Sequence, residues 1–401
     1  MRTRPSLLLY CQHSLGMGHL MRSLALTRAL AEHFQVTFVS GGRLPRTIRL
    51  DPEVRVVPLP PVGLDASGAL VSHDRRRSLD HALAERRRIL FDTWRAVAPQ
   101  VVLVELFPFG RRKFRAELEP ILEGAREAAV SGPRAIVACS LRDILVGREA
   151  QREHDQRAAD LLARYFDAVL VHSDPAFARL EESLSSGVGI PVPLFYTGFV
   201  HDTRPRRAAA AGRGRFVASA GGGMVGEQLL QVVLDAYCRP EAASCPPLTI
   251  VGGPFLPEPA WAALVRTARR QPRVELRRAV PNLAALLAGA AGSISQCGYN
   301  TAMDLIATGV PALVIPFRTE REDEQIKRAA RLAALGALRL LDPADATPAR
   351  VARELVALQE FRPRPACLDL GGAHRTARML ADFCVYGVPA PSDRRLQEGV
   401  A

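Results

Sequence analysis

The chain has 401 residues, 48% of them apolar and 23% charged, and its 53 basic against 41 acidic side chains leave a net charge of +12. That length allows two domains, each burying its own core. No apolar run approaches the roughly 18 to 20 residues of a membrane-spanning helix, and the start SLLLY is too short and wrongly flanked for a secretory signal, so a soluble cytoplasmic protein is expected. Among the basic residues only Lys113 and Lys327 are lysines. The arginine excess is therefore read as codon bias of a GC-rich genome, and only local clusters of charge are given weight. Seven scattered cysteines, without a C-x-x-C pair or zinc-type spacing, read as reduced thiols.

From the N-terminus, SLLLYC reads as a buried strand, LMRSLALTRALAEHF as an amphipathic helix and QVTFVS as a second strand. QVVLVE, RAIVACS and DAVLVHS follow. Continuous apolar strands separated by helices are the pattern of parallel sheets covered on both faces, so the fold class is α/β. The stretch HDTRPRRAAAAGRGR, residues 201–215, has neither helical nor strand period and reads as a linker. Beyond it the alternation restarts with RFVASA and EQLLQVVLDAY and runs to EDEQIKRAARLAALG. The expected division is an N-terminal domain over 1–200, a C-terminal domain over 216–388 and a disordered tail over 389–401. Both halves open as strand, glycine loop, helix. Two doubly wound, Rossmann-like domains are expected to face each other across a cleft, with ligands at the carboxyl ends of the strands.

Three glycine loops carry candidate chemistry. The first, Gly16-Met17-Gly18-His19, lets a backbone approach a ligand and offers the free N–H groups of a helix start. It lacks the third glycine and the later acid of a dinucleotide site, so no NAD is expected. His19, at a strand-end mouth and titrating near neutrality, suits a general base, although a histidine at a helix start often only caps or packs. The second loop includes Gly222 and Gly223; it has no P-loop Lys and Ser/Thr but still leads into a helix. The third runs from Ser295 to Asn300, where the helix beginning near Asn300 or Thr301 offers its N–H groups to an anion such as a diphosphate. Asp304, one turn inside, can accept hydrogen bonds from a ribose diol; the plainer reading is a partner of the helix dipole.

SQCGYNTAMDLIATGVPALVIPF followed by EDEQIKRAARLAALG resembles the C-terminal nucleotide-binding signature of the glycosyltransferases related to MurG, the enzyme that adds N-acetylglucosamine to the peptidoglycan lipid precursor. SLGMGHLMRSLALTRAL resembles the first glycine loop of that group and also the G-x-G-H-x-x-R segment of the UDP-sugar hydrolase of pseudaminic acid biosynthesis. The resemblance implies the GT-B architecture, with Ser295, Gly298, Asn300 and Thr301 lining the diphosphate and Asp304 holding the ribose. It further implies Glu324 and Gln325 on the donor sugar and the backbone near Ala279 and Val280 on the uracil, and it matches His19 to the catalytic histidine of the hydrolase and the glycine-loop histidine of the transferases.

Glu105 ends the strand QVVLVE and is a second candidate base, the alternative being a local ion pair with Arg111 or Arg112. Phe107, Phe109 and Phe114 alternate with Arg111, Arg112, Lys113 and Arg115, a pattern suited to a lipid headgroup or single-stranded nucleic acid. Nothing else resembles an RNA module, so an anionic acceptor or membrane surface is preferred and no nucleic acid is expected. Arg142, Asp143 and Asp174 are candidates by position alone. No D-x-D, H-E-x-x-H or G-x-S-x-G occurs, so neither metal nor cofactor is expected. The function expected is sugar transfer from a nucleotide donor, UDP-linked, to an unknown acceptor, lipid-linked or anionic, in the cytoplasm or at the inner face of its membrane. A nucleotide-sugar hydrolase and a non-catalytic nucleotide-sugar-binding protein are the alternatives.

Overall fold

The computed structural model describes residues 4–13, 17–45, 48, 50–65, 68–127, 134–202, 212–319 and 322–390. They divide into two compact units: the first runs to Asp202 and takes up the chain again from Asp369, and the second ends at Leu368.

In the first unit β1 (Ser6–Cys11) leads into α1 (Met17–Ala31), β2 (Gln35–Ser40) and β3 (Arg55–Pro58). A small antiparallel ribbon of β4 (Val62–Leu64) and β5 (Leu70–Ser72) precedes α2 (Leu79–Val97) and β6 (Val101–Glu105). Then come α3 (Arg115–Glu127), β7 (Ile136–Arg142), α4 (Gln151–Tyr165), β8 (Ala168–His172) and β9 (Leu194–Tyr196). The sheet order is β3-β2-β1-β6-β7-β8-β9, parallel throughout, with Leu8 of β1 registered against Thr37 on one side and Val102 on the other. Every residue of β6 and β8 is buried, as a strand covered on both faces requires. On α2, fully buried Arg86 donates to Glu117 Oε2 at 2.8 Å, to Gln12 Oε1 at 2.6 Å and to the carbonyls of Gly41 and Pro60. A charge taken out of water survives only when paired in this way. The network ties α2 and α3 to the loops at the end of β1.

The second unit holds β10 (Phe216–Ser219), α5 (Glu227–Tyr237), β11 (Leu248–Val251), α6 (Glu258–Ala268), β12 (Val274–Arg277) and α7 (Leu283–Leu287). It continues through β13 (Gly292–Ser295), α8 (Tyr299–Thr308), β14 (Ala312–Val314), α9 (Glu324–Ala334), β15 (Arg339–Leu340) and α10 (Pro348–Leu358). Its order is β12-β11-β10-β13-β14-β15, again all parallel. The α/β class and the paired doubly wound sheets are those expected from the alternating pattern.

The division drawn from the sequence is corrected at its end. Helix α11 (Gly372–Tyr386) belongs to the first unit. Phe199 N–H donates to Asp369 C=O at 2.7 Å, Gly372 N–H to Phe199 C=O at 3.0 Å, and the Phe383 ring packs at a tilt against Phe195, 5.1 Å between centroids. A Cβ on Gly372 would stand 2.2 Å from the Gly198 carbonyl oxygen, so the return of the chain depends on that glycine. Of the linker, residues 203–211 lie outside the described residues. Arg215 already pairs into the second unit through Thr249 Oγ1 at 2.8 Å. The expected tail lies outside them from residue 391 on.

Candidate active site

In a doubly wound sheet the loops after the two strands that flank the reversal of order are splayed apart, and ligands enter there. The first unit reverses between β1 and β6, and the second between β10 and β13. His19 sits in the first turn of α1, directly after β1, and Glu105 is the last residue of β6. The strand order therefore brings side chains 86 positions apart to one point.

There His19 Nδ1 lies 2.6 Å from Glu105 Oε1. Arg22, one turn further along α1, donates to the same carboxylate oxygen, as the three-residue spacing on a helix allows. Burial alone would raise the Glu105 carboxyl, but His19, Arg22 and Arg111 outweigh it and hold the group well below the usual carboxylate range. An ionised Glu105 requires the proton on His19 Nδ1, which leaves the lone pair on Nε2. Burial is the largest influence on the imidazole and brings it down to about 4, with Glu105 opposing and Arg111 and Arg22 assisting. At neutral pH His19 is thus an uncharged base, oriented by a carboxylate, whose side chain keeps 21% exposure. Glu105, at 1%, is the orienting partner of that base. The alternative reading of Glu105 is an ion pair with Arg111 or Arg112; the close ion pair it makes is with Arg22. The G-x-G-H-x-x-R segment contained the signal for Arg22, since three residues after His19 is the next position on the same helix face.

The second unit presents backbone where the first presents side chains. Gly298 caps α8 with extended backbone, and a Cβ there would meet nothing within 4 Å, so the approach to the first-turn N–H groups is open. Asn300 is half-buried, Thr301 is buried and Asp304 lies one turn on, half-buried. Ser295 departs from expectation. It is the last residue of β13, fully buried, with its hydroxyl enclosed, so it does not line a surface. Gln325 also departs in part: its Oε1 accepts from Cys297 N–H at 2.9 Å and from Phe317 N–H at 3.2 Å, leaving only Nε2 for a sugar. One turn along α9, fully buried Arg328 donates to Cys297 C=O at 2.7 Å and lies 3.6 Å from Glu324. Gln325 and Arg328 together grip both polar groups of Cys297 and set the entry of α8. The sequence reading missed Arg328, whose place three residues after Gln325 was the available clue.

Gly222 and Gly223 follow β10. A Cβ on Gly223, at φ +90°, would stand 2.4 Å from the Gly252 carbonyl oxygen, so the close approach of two loops within the unit accounts for it. Ala279 and Val280 follow β12, at the same carboxyl edge and three strand spacings, roughly 14 Å, from β13. Gly18 has open space around it, and Gly16 lies outside the described residues. Phe107, Phe109 and Phe114 are buried in the first unit, which removes them from any membrane surface and leaves Arg112, Lys113 and Arg115 as the exposed part of that motif. Asp174 accepts from Ala176 N–H at 2.9 Å and closes a turn. Asp143 is buried.

This fold is that of the GT-B glycosyltransferases. It aligns with Phytolacca americana UGT2, solved with UDP-2-fluoroglucose and pterostilbene, at a TM-score of 0.58 and 16% identity over 99% of both chains. It also aligns with Acinetobacter baumannii MurG at 0.53 and 13%, over 95% of this chain and 99% of that one. In sequence, residues 259–369 match the glycosyltransferase family 28 C-terminal domain. The chain is 27% identical over 210 residues to the UDP-N-acetylglucosamine–N-acetylmuramyl-(pentapeptide) pyrophosphoryl-undecaprenol N-acetylglucosamine transferase of Carboxydothermus hydrogenoformans. That match covers 50% of this chain and 54% of the relative, so the chain spans about half the length of that relative.

Proposed function

We propose that the protein is a glycosyltransferase that moves a sugar from a nucleotide donor, UDP-linked, to an acceptor hydroxyl, with inversion and without a metal. The observation that carries this reading is the His19–Glu105 pair at the first unit's switch point. Nε2 takes the acceptor proton as the sugar–phosphate bond breaks. The imidazole then becomes positive, and the ionised Glu105 stabilises that charge as it develops. In the second unit the first-turn N–H groups of α8, at Gly298, Asn300 and Thr301, receive the leaving diphosphate, and Asp304 accepts from the ribose. Glu324 and Gln325 Nε2 serve the donor sugar, and the backbone near Ala279 and Val280 serves the base. The relative from Carboxydothermus is named for a UDP-sugar and a pyrophosphoryl-undecaprenol acceptor, which supports a UDP donor and a lipid-linked acceptor; the proposed place of transfer is the inner face of the membrane. Among the described residues no helix is long and apolar enough to cross a membrane, so the contact would be peripheral.

The test is a panel of UDP- and dTDP-sugars, scored for nucleotide release with and without acceptor extracts. Release stimulated by an acceptor is expected. Equally rapid release of free sugar without one would make the protein a hydrolase, and tight binding without turnover would make it a binding protein.

A further inference from the structure

Cys11, the last residue of β1, has Ser40 of β2 registered beside it. On the other side Tyr10 is registered against Val104, so the next residue of β6, Glu105, flanks Cys11 there. Glu105 is in turn registered against Ser140 of β7. Side chains in register on parallel strands point to the same face. Ser40, Cys11, Glu105 and Ser140 therefore form one row near the carboxyl edge of the sheet, and three of the four hold a histidine. His13 Nε2 lies 2.9 Å from Ser40 Oγ, His19 Nδ1 2.6 Å from Glu105 Oε1, and His172 Nε2 2.7 Å from Ser140 Oγ. His172 is fully buried and uses both ring nitrogens, since its Nδ1 is 2.8 Å from Thr197 Oγ1. It is a packed residue of the interior.

His13 is different. Ser40 has one hydroxyl proton, and it goes to the Gly42 carbonyl at 3.2 Å. The Ser40 oxygen therefore accepts from His13 Nε2–H, and the ring's lone pair is left on Nδ1. That nitrogen has no hydrogen-bond partner among the described residues, although His13 is only 3% exposed. A buried acceptor without a donor is uncommon in a folded protein and asks for a reason. Burial, and then the charge of Arg111, bring the imidazole down to about 4, so the lone pair is present at neutral pH. A Cβ on Gly42 would stand 2.8 Å from Nδ1 and closer still to the His13 carbonyl oxygen, so a glycine there keeps that edge of the ring uncovered. Gln12 and Gly41, the residues before His13 and Gly42, are both held by Arg86, at 2.6 and 2.9 Å, which fixes the mounting of the ring. His13 and His19 thus hang from anchors two strand spacings apart, roughly 10 Å, on one face of one sheet. Each is a neutral ring with one bare nitrogen, Nδ1 on His13 and Nε2 on His19. Neighbouring hydroxyls of one molecule suit such a pair, because each O–H can donate to one nitrogen.

We propose that His13 Nδ1 accepts a hydrogen bond from a hydroxyl adjacent to the one that His19 deprotonates, which makes His13 an acceptor-binding residue and the acceptor a polyol. Naming that polyol as the acceptor rests on the glycosyl-transfer reading; the pair of bare nitrogens does not. The probe is vicinal trans-cyclohexanediol, titrated into the UDP-saturated full chain with isotopically labelled histidine nitrogens and followed by NMR. Cyclohexanol is the single-hydroxyl control. Before titration His13 should be the Nε2–H tautomer and His19 the Nδ1–H tautomer. The diol is expected to shift His13 Nδ1 and His19 Nε2 together and to bind about five- to tenfold more tightly than cyclohexanol, the gain of one neutral hydrogen bond. His13→Gln, whose amide can keep the bond to Ser40 but lacks the second nitrogen, should abolish that preference. His13→Asn, which keeps an acceptor near the place of Nδ1, should retain part of it. The tautomers and shifts of the wild-type protein need no variant, so the test stands even if both variants misfold. A diol that shifts both rings in a protein that turns over no UDP-sugar would strike the glycosyl-transfer reading and support the polyol site. An Nδ1–H tautomer at His13, or equal affinity of the wild type for diol and cyclohexanol, would overturn the proposal.

Discussion

The two switch points share a topology and differ in the material from which they are made. The first unit gathers an imidazole, a carboxylate and a buried guanidinium, a set that fixes where the proton sits on the imidazole. The second leaves a helix start open behind Gly298 and places the buried Arg328 underneath, to hold a loop carbonyl. A proton acceptor has to be a side chain with a tuned pKa. A clamp for a departing anion can be backbone dipoles that stay in place throughout. The same fold, used twice, separates those tasks.

Breaking the first site should cost most. His19→Ala is expected to lower turnover by roughly 10² to 10⁴ with UDP affinity and unfolding temperature retained; full activity in that variant would move the base elsewhere. Glu105→Gln should act on stability as well, because it leaves Arg22 enclosed without its carboxylate. A loss of about 3 to 5 kcal/mol in urea unfolding is expected, and a loss under 1 kcal/mol would mean that the pair is less enclosed than its geometry indicates. On the other side of the comparison, Asp304→Ala should weaken UDP by about 1 to 3 kcal/mol and leave unfolding unchanged; equal UDP affinity by calorimetry would remove Asp304 from the site. A further test concerns pH. Burial holds His19 and His13 neutral down to about 4 and His172 to about 3, against about 6.5 in the unfolded chain. The unfolded state therefore binds more protons over that interval. The stability these groups contribute is complete above pH 6.5 and falls as the pH drops towards 4. A urea midpoint that stays level from pH 7 to 5 would contradict this, and His172→Gln should flatten the slope.

Strand identities were legible because wholly buried parallel strands read as short unbroken apolar runs, and SLLLYC is β1 to the residue. His19 and Glu105 were legible singly, each by its place after a strand. Their pairing was not, since it depends on β1 and β6 becoming neighbours, a property of strand order that no local pattern carries. The aromatic and basic segment misled for a related reason. Alternating Phe and Arg mark an interface only if both reach solvent, and the turn after β6 folds the rings inward. Gln325 and Arg328 look like surface polar residues of an amphipathic helix until the loop they grip is in place. Helix α11 carries no mark of which unit it will join, because its apolar face would suit either sheet.

The return of α11 gives the first unit an order of assembly. Its sheet is complete once residue 196 has been made, yet the partners of Phe195 and Phe199 are encoded beyond residue 368. During synthesis the second unit must emerge in full before the first can receive its last helix. For that interval, roughly ten to forty seconds at ordinary rates of translation, the surface around Phe195 waits uncovered. A ribosome that stalls after the second unit would release a chain with one finished sheet and one lacking its cover.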